Sequence, residues 1–349
     1  MPRFRRHGLR RPAAAVALSL AVVACGQTGE PAGEPAGEPA AEPAEPGQAP
    51  ASAEQVPGRL IEIDGEPEGI VVTSTGVVAV ALRGPDRLML VDLDTERVTE
   101  VPTSSAARHL TLASPSGPVV APLEASDEVV LVDPSTGDIV GQFSGIEDGP
   151  HDAAVHPSGL ISVTDELGGG LYVLDPRSNN VQRIDSSPQP GGVAPVGDLA
   201  VSVDVTGRGV RVFDVREARQ VAEAQVGTGL THVVSLDGGR VAMADTDGGR
   251  LIVAAITPEL QDVVEVPVDG RPYGLAFDEE RARLYVTLSE RNEMLVYDTG
   301  RIDEGPLGTV PTVGQANSVA VEPRDGRVVI AGRSQGALQV LPPDALPGS

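Results

Sequence analysis

The chain contains no tryptophan and no lysine, and only four tyrosines, four phenylalanines and one cysteine in 349 residues. Each shortage excludes something. Sugar-binding and quinone-docking sites lean on aromatic platforms, and tight protein interfaces on aromatic hot spots, so these become poor candidates. A single cysteine has no disulfide partner. No Ser-His-Asp or Cys-His arrangement can be argued, and no glycine-rich phosphate loop of the required form is present. The 12-residue apolar stretch from Ala13 to Ala24 falls short of the roughly 20 residues that a membrane-spanning helix needs. Only 26 basic residues, all arginine, face 50 acidic ones, and the formal charge is −24. A field of that sign repels nucleic acid and anionic lipid.

What is present begins with the leader. Arg3, Arg5, Arg6, Arg10 and Arg11 form a positive region ahead of the apolar stretch, which has the length of a signal-peptide core. It ends in Val22-Val23-Ala24-Cys25-Gly26, which resembles the lipobox of bacterial lipoproteins. That resemblance implies cleavage after residue 24, diacylation of Cys25 (a palmitate-type anchor), and export to the outer side of a cell membrane or the periplasm. The anchor would be the chain's only membrane contact. Residues 25–56 then read as a tether. A Gly-Glu-Pro-Ala unit recurs three times, followed by looser Ala, Pro and Glu, with six glutamates and no basic residue. Without large apolar side chains the segment has nothing to place in a core, and proline keeps it extended.

The remainder, 57–345, is a repeat. Gly274 opens an alternating strand, and equivalent positions are Gly69, His109, Asp152, Gly192, His232 and Ser318, with gaps of 40 to 44 residues. Each unit holds short runs rich in valine separated by turns, and the apolar spacing has period two, which excludes a helical solenoid. The third run of most units closes with Asp: Asp92, Asp133, Asp175, Asp214 and Asp298. A carboxylate there can bond the next backbone amides. The seventh unit has three runs before the four-residue tail 346–349, and a spare run from Leu60 to Ile63 precedes the first. The expected fold is all-β: a seven-bladed β-propeller of four-stranded blades, with the N-terminal strand completing the last blade. Arg271 to Ile302, with Leu284-Tyr285-Val286-Thr287, resembles the YVTN-type repeat of bacterial extracytoplasmic (YncE-like) propellers, a WD40-like architecture.

The resemblance implies that the starts of the inner strands and the ends of the second strands share one face. His109, His151, His232 and Asp152 would then meet Asp165, Asp204 and Asp245 at one mouth of the channel, a candidate divalent-metal site for zinc or calcium. A polar, wet channel mouth is the plain alternative. Glu68, Arg108, Tyr273 and Asn317 are candidate ligand-binding residues at the same mouth. Three functions are implied: a ligand-binding module taking a small ligand, metal or protein; a lactonase-like metallohydrolase with its ion on Glu68, Asn317, Asp165 and Asp204; and a protein scaffold or zinc-chaperone-like protein. A monomer without nucleic-acid partners is expected. His156 reads as a surface turn residue, and Gly168-Gly169-Gly170 as a hairpin.

Overall fold

The computed structural model describes residues 43–50, 56–186, 189–206 and 208–348. The expected signal peptide and Cys25 lie outside these residues, as does most of the expected tether. The described chain forms seven four-stranded antiparallel sheets. Six are built from consecutive strands. The seventh contains Ala316–Val321, Val328–Gly332 and Ala337–Leu341, and its outer strand is Arg59–Glu62 from the other end of the repeat region. Arg59 pairs with Val340 and Glu62 with Ala337. The spare strand therefore closes the ring, and the last blade's outer strand is supplied by the chain's N-terminal part.

The buried apolar side chains of the described residues form seven clusters, and each joins two successive blades. Val78, Val80 and Val91 of blade one meet Val329, Ala331 and Leu338 of blade seven. Val201, Val203 and Val210 of blade four meet Val241, Met243 and Ile252 of blade five. Every inner sheet face is thus covered by a neighbour. This explains one departure from the period-two pattern. The second strand of blade one, Val77–Arg83, is buried on both faces along nearly its whole length, whereas outer strands such as Val98–Pro102 alternate.

The closing aspartates behave as their position demands. Asp92 Oδ1 accepts from the amides of Asp94 and Thr95, and Asp214 Oδ1 from those of Arg216 and Glu217. They fix outer turns and take no part in the channel. His156 departs from the surface reading. It is buried, with Ser162 Oγ 2.9 Å from Nε2 and the Gly197 carbonyl 3.1 Å from Nδ1, so it staples blade three to blade four.

Candidate functional site

A shared irregularity builds the mouth. The innermost strands of six blades lose register with their neighbours within their first residues: Pro67 to Ile70, Pro150 to Ala153, Pro190 to Val193, Leu230 to His232, Pro272 to Leu275, and Ala316 to Ser318. In blade two the same place is an isolated bridge, Ala107 to Leu123, followed by three unpaired residues. A bulge there turns the next two side chains toward the channel. An upper layer results, from Glu68, Arg108, His151, Gly191, Thr231, Tyr273 and Asn317. A deeper layer comes from Gly69, His109, Asp152, Gly192, His232, Gly274 and Ser318. Glycine in the deeper layer makes room for the next blade. A Cβ on Gly69 would lie 2.8 Å from the Cα of His109, and one on Gly274 would lie 2.7 Å from the Asn317 carbonyl oxygen. Asp152 instead binds its neighbour, accepting from the Val193 amide at 2.9 Å.

The structure brings the three predicted histidines together. His109 stands edge-on to His151 with ring centroids 4.8 Å apart, and to His232 at 4.9 Å. Tyr273 continues the row 4.3 Å from His232. His109 and His232 line both the small void at the mouth and the channel cavity beneath, which measures about 340 Å³. They are the floor between the two. Burial, reinforced by the charge of His151, holds His232 down at about 3. Burial likewise pushes His109 well below the ordinary imidazole range, with His151, His232 and Arg108 beside it disfavouring a further positive charge. Both rings are neutral at pH 7, and His232 Nδ1 is buried without a hydrogen-bond partner.

His151 is the opposite case. Burial opposes its charge, but hydrogen bonds to Glu124 and Glu166 outweigh burial and raise it to about 9. Its Nδ1 lies 2.9 Å from Glu124 Oε1 and 2.8 Å from Glu166 Oε2. Glu124 is held down at about 2 against the cost of its burial, by the His151 hydrogen bond and charge and then by Arg108 and Arg83. Arg83 donates to Glu124 Oε2 at 2.9 Å, and Gln189 to Glu166 Oε1 at 3.3 Å. Burial raises Asp152 to about 6 and Tyr273 to about 12.

Glu124 and Glu166 are the residues that sequence reasoning missed, by one position. Opposite the residue that precedes each inner-strand irregularity, the second strands carry Leu82, Leu123, Asp165, Asp204, Asp245, Leu288 and Gly332. Side chains alternate along a strand, so the residue after each reaches the mouth instead: Arg83, Glu124, Glu166, Val205, Thr246, Ser289 and Arg333. Advancing the alignment by one residue would have found them.

The predicted aspartates serve elsewhere. Asp165, Asp204 and Asp245 are fully buried and pair with Arg183, Arg211 and Arg250 respectively. Asp165 Oδ1 also accepts from the Gly168 amide, and Asp245 Oδ1 from the amides of Thr228, Gly229 and Gly248. They brace the loops around the second-to-third strand turns, including the Gly168-Gly169-Gly170 hairpin, and do not join the histidines in one shell. Glu68 is likewise held by Arg83 at 3.1 Å and Arg333 at 3.3 Å, and Asn317 Oδ1 accepts from Gln315. Among the described residues, one group presents three metal-ligating atoms within 4.8 Å of one another: Glu124, His151 and Glu166.

The described part of the tether is not clear of this site. Residues 43–50 cross the mouth, with Ala44 and Gly47 buried. Pro43, Ala44 and Glu45 cover Arg108, His109, His151, Glu166, His232 and Tyr273, leaving a void of about 20 Å³, room for about one water. The expectation that this stretch has no packed residue therefore fails for 43–50. Its buried residues are small, and small residues carry no hydrophobic signature.

No protein-family profile matches the chain. The WD repeat-containing protein SL1-17 of Schistosoma mansoni is 27% identical over 176 residues, 46% of this chain and 56% of that protein. The chain therefore spans about half the length of this curated relative. Among solved structures, Kuenenia stuttgartiensis hydrazine synthase superposes with a TM-score of 0.71 at 19% identity, over 82% of this chain and 98% of that one. Virginiamycin B lyase from Staphylococcus aureus superposes with a TM-score of 0.70 at 14% identity, over 82% and 99%. At such identities the likeness establishes the seven-bladed propeller and nothing finer.

Proposed function

We propose that this chain is a YVTN-type lipoprotein of the bacterial cell envelope, acting as a ligand-binding propeller whose mouth holds a divalent cation on His151, Glu124 and Glu166. One observation carries the reading: two carboxylate oxygens converge on a single imidazole nitrogen, at 2.9 and 2.8 Å. Nitrogen and oxygen donors in that ratio suit zinc or manganese, and suit calcium less. Arg83 and Gln189 orient the outer carboxylate oxygens, as partners behind a metal's ligands do. In the cation's absence the Nδ1 proton fills the same place, so binding releases a proton. Three protein ligands leave positions for a small anionic or carbonyl-bearing molecule beside Arg108 and the neutral rings. The envelope address rests on the leader and Cys25.

The test is thermal melting of chelator-treated protein with zinc, manganese or calcium. Saturation at a hundredfold excess over Kd should add about 2.7 kcal/mol of stability, and Glu124→Gln with Glu166→Gln should remove that gain. If none of the three cations raises the melting temperature, the cation reading is wrong. For the address, Cys25→Ser should move the protein from the membrane fraction to the soluble fraction. A variant that stays with the membrane would sink the lipoprotein assignment.

A further inference from the structure

We propose that the mouth is a binding site for an extended, proline-containing polypeptide segment, recognised through its backbone carbonyls, and that residues 43–50 of the chain fill it in cis. This rests on the reading of the mouth as a binding site and adds a second ligand class beside the cation.

Residues 43–50 read Pro-Ala-Glu-Pro-Gly-Gln-Ala-Pro, and they are held by backbone contacts. The Glu45 carbonyl accepts from Arg271 at 2.7 Å, the Gly47 carbonyl from Gln315, and the Pro50 carbonyl from Asn292 at 2.9 Å. The Gly47 amide donates to Ser289 Oγ at 2.7 Å. Three of the four bonds use the segment's carbonyls, which a proline retains, and one uses an amide, which a proline lacks. The buried positions, Ala44 and Gly47, are three apart, the period of a polyproline-type chain. A Cβ on Gly47 would lie 2.1 Å from Cγ of the exposed Glu290, which would have to swing aside, so a larger side chain seats only by displacing it.

The propeller side carries an independent mark. The residue just before the inner strand has a left-handed backbone in blades one, three, six and seven, with φ of 127° at Gly65, 98° at Gly149, 57° at Arg271 and 60° at Gln315. Blades one and three use glycine, for which that conformation is free of strain. Blades six and seven put long polar side chains there despite the strain, and both donate to the docked segment. Asn292 supports Gln315 as well, accepting from its amide at 2.9 Å. The seat is therefore built where the fold alone would favour glycine.

Competition tests the proposal. The probe is a fluorescent octapeptide of the sequence of residues 43–50, read by polarisation in chelator so that no cation takes part. The mature chain should bind it at least tenfold more weakly than an Ala44→Arg, Gly47→Glu variant, whose own segment cannot seat. Adding Arg271→Ala and Gln315→Ala to that variant should abolish binding. Both substitutions in residues 43–50 lie outside the blades, and a melting temperature within a few degrees of the parent checks that the variant folds. The single substitution Gly47→Glu serves if the double one fails that check. A folded variant that binds the probe no better than the parent overturns the proposal. So would a parent that is dimeric and becomes monomeric on substitution, because the segment would then sit in a second copy. Probe binding without any cation-induced stabilisation would separate this proposal from the cation reading.

Discussion

The two halves of the mouth stand on the same repeated blade and carry different chemistry. Blades two to five place Arg108, His109, Glu124, His151, Glu166 and His232 there, titratable groups that set one another's charge. Blades six and seven place Ser289, Asn292 and Gln315 there, groups that keep one state at any ordinary pH, beside the fixed charges of Arg271 and Arg333. The first half suits ions and protons, and the second suits peptide carbonyls. The propeller supplies seven equivalent addresses, and residue type alone decides what each address does.

The sharpest test of that division asks which carboxylates of the charged half are structural. Asp245 is fully buried, and it satisfies three loop amides and Arg250. Asp245→Ala should cost about 3 kcal/mol by leaving those donors unpaired, which lowers the melting temperature by roughly 5–10 °C in a domain of this size. Glu166→Gln in chelator should cost far less, because the glutamine keeps a side-chain oxygen for His151 and Glu124 still accepts from the same ring nitrogen. Equal losses would erase the distinction between bracing and mouth carboxylates.

A second test uses pH. His151 titrates at about 9 in the folded protein, above its ordinary 6.5. Its charge therefore stabilises fully below about pH 6.5, and the contribution is lost as pH rises through about 9. Glu124, depressed to about 2 from 4.5, works in the other direction. It contributes above about pH 4.5 and loses that contribution as pH falls through about 2. In metal-free urea melts the gap between parent and His151→Gln should be widest between pH 4.5 and 6.5 and should close above about pH 9. Gln315→Ala, in the neutral half, should show a gap that does not move with pH. A His151→Gln gap that persists undiminished above pH 9 would mean the pair is not ionic.

The fold was legible because its signals are local and repeated. Turn aspartates such as Asp92 and Asp214 bond the amides their positions suggest, and the spare run at Leu60 found the blade that lacked a strand. The site was half legible. His109, His151 and His232 align by repeat and do meet. Asp165, Asp204 and Asp245 align equally well but point away, because a one-residue offset at a strand end exchanges the channel side for the blade side. The bulge that aims His151 leaves no mark in composition. Residues 43–50 were the least legible part. Nothing in a run of Pro, Ala, Glu and Gly announces burial, since the segment docks by carbonyls and by the absence of side chains.

The smallest expected effect is also the most discriminating for the neutral half. Gln315 holds a φ of 60°, which a glycine adopts without strain and an alanine does not. Gln315→Ala keeps the strain and loses the bond to the Gly47 carbonyl, so it should be less stable than the parent by about 1 kcal/mol. Gln315→Gly loses the same bond but relieves the backbone, a gain of about 1 kcal/mol set against the larger entropy of an unfolded glycine. Its melting temperature should fall within a degree or two of the parent's, while residues 43–50 become cleavable by a protease that leaves the parent intact. If glycine and alanine destabilise alike, the Gln315 side chain is part of the propeller's own framework, and the two halves of the mouth differ in chemistry but not in purpose.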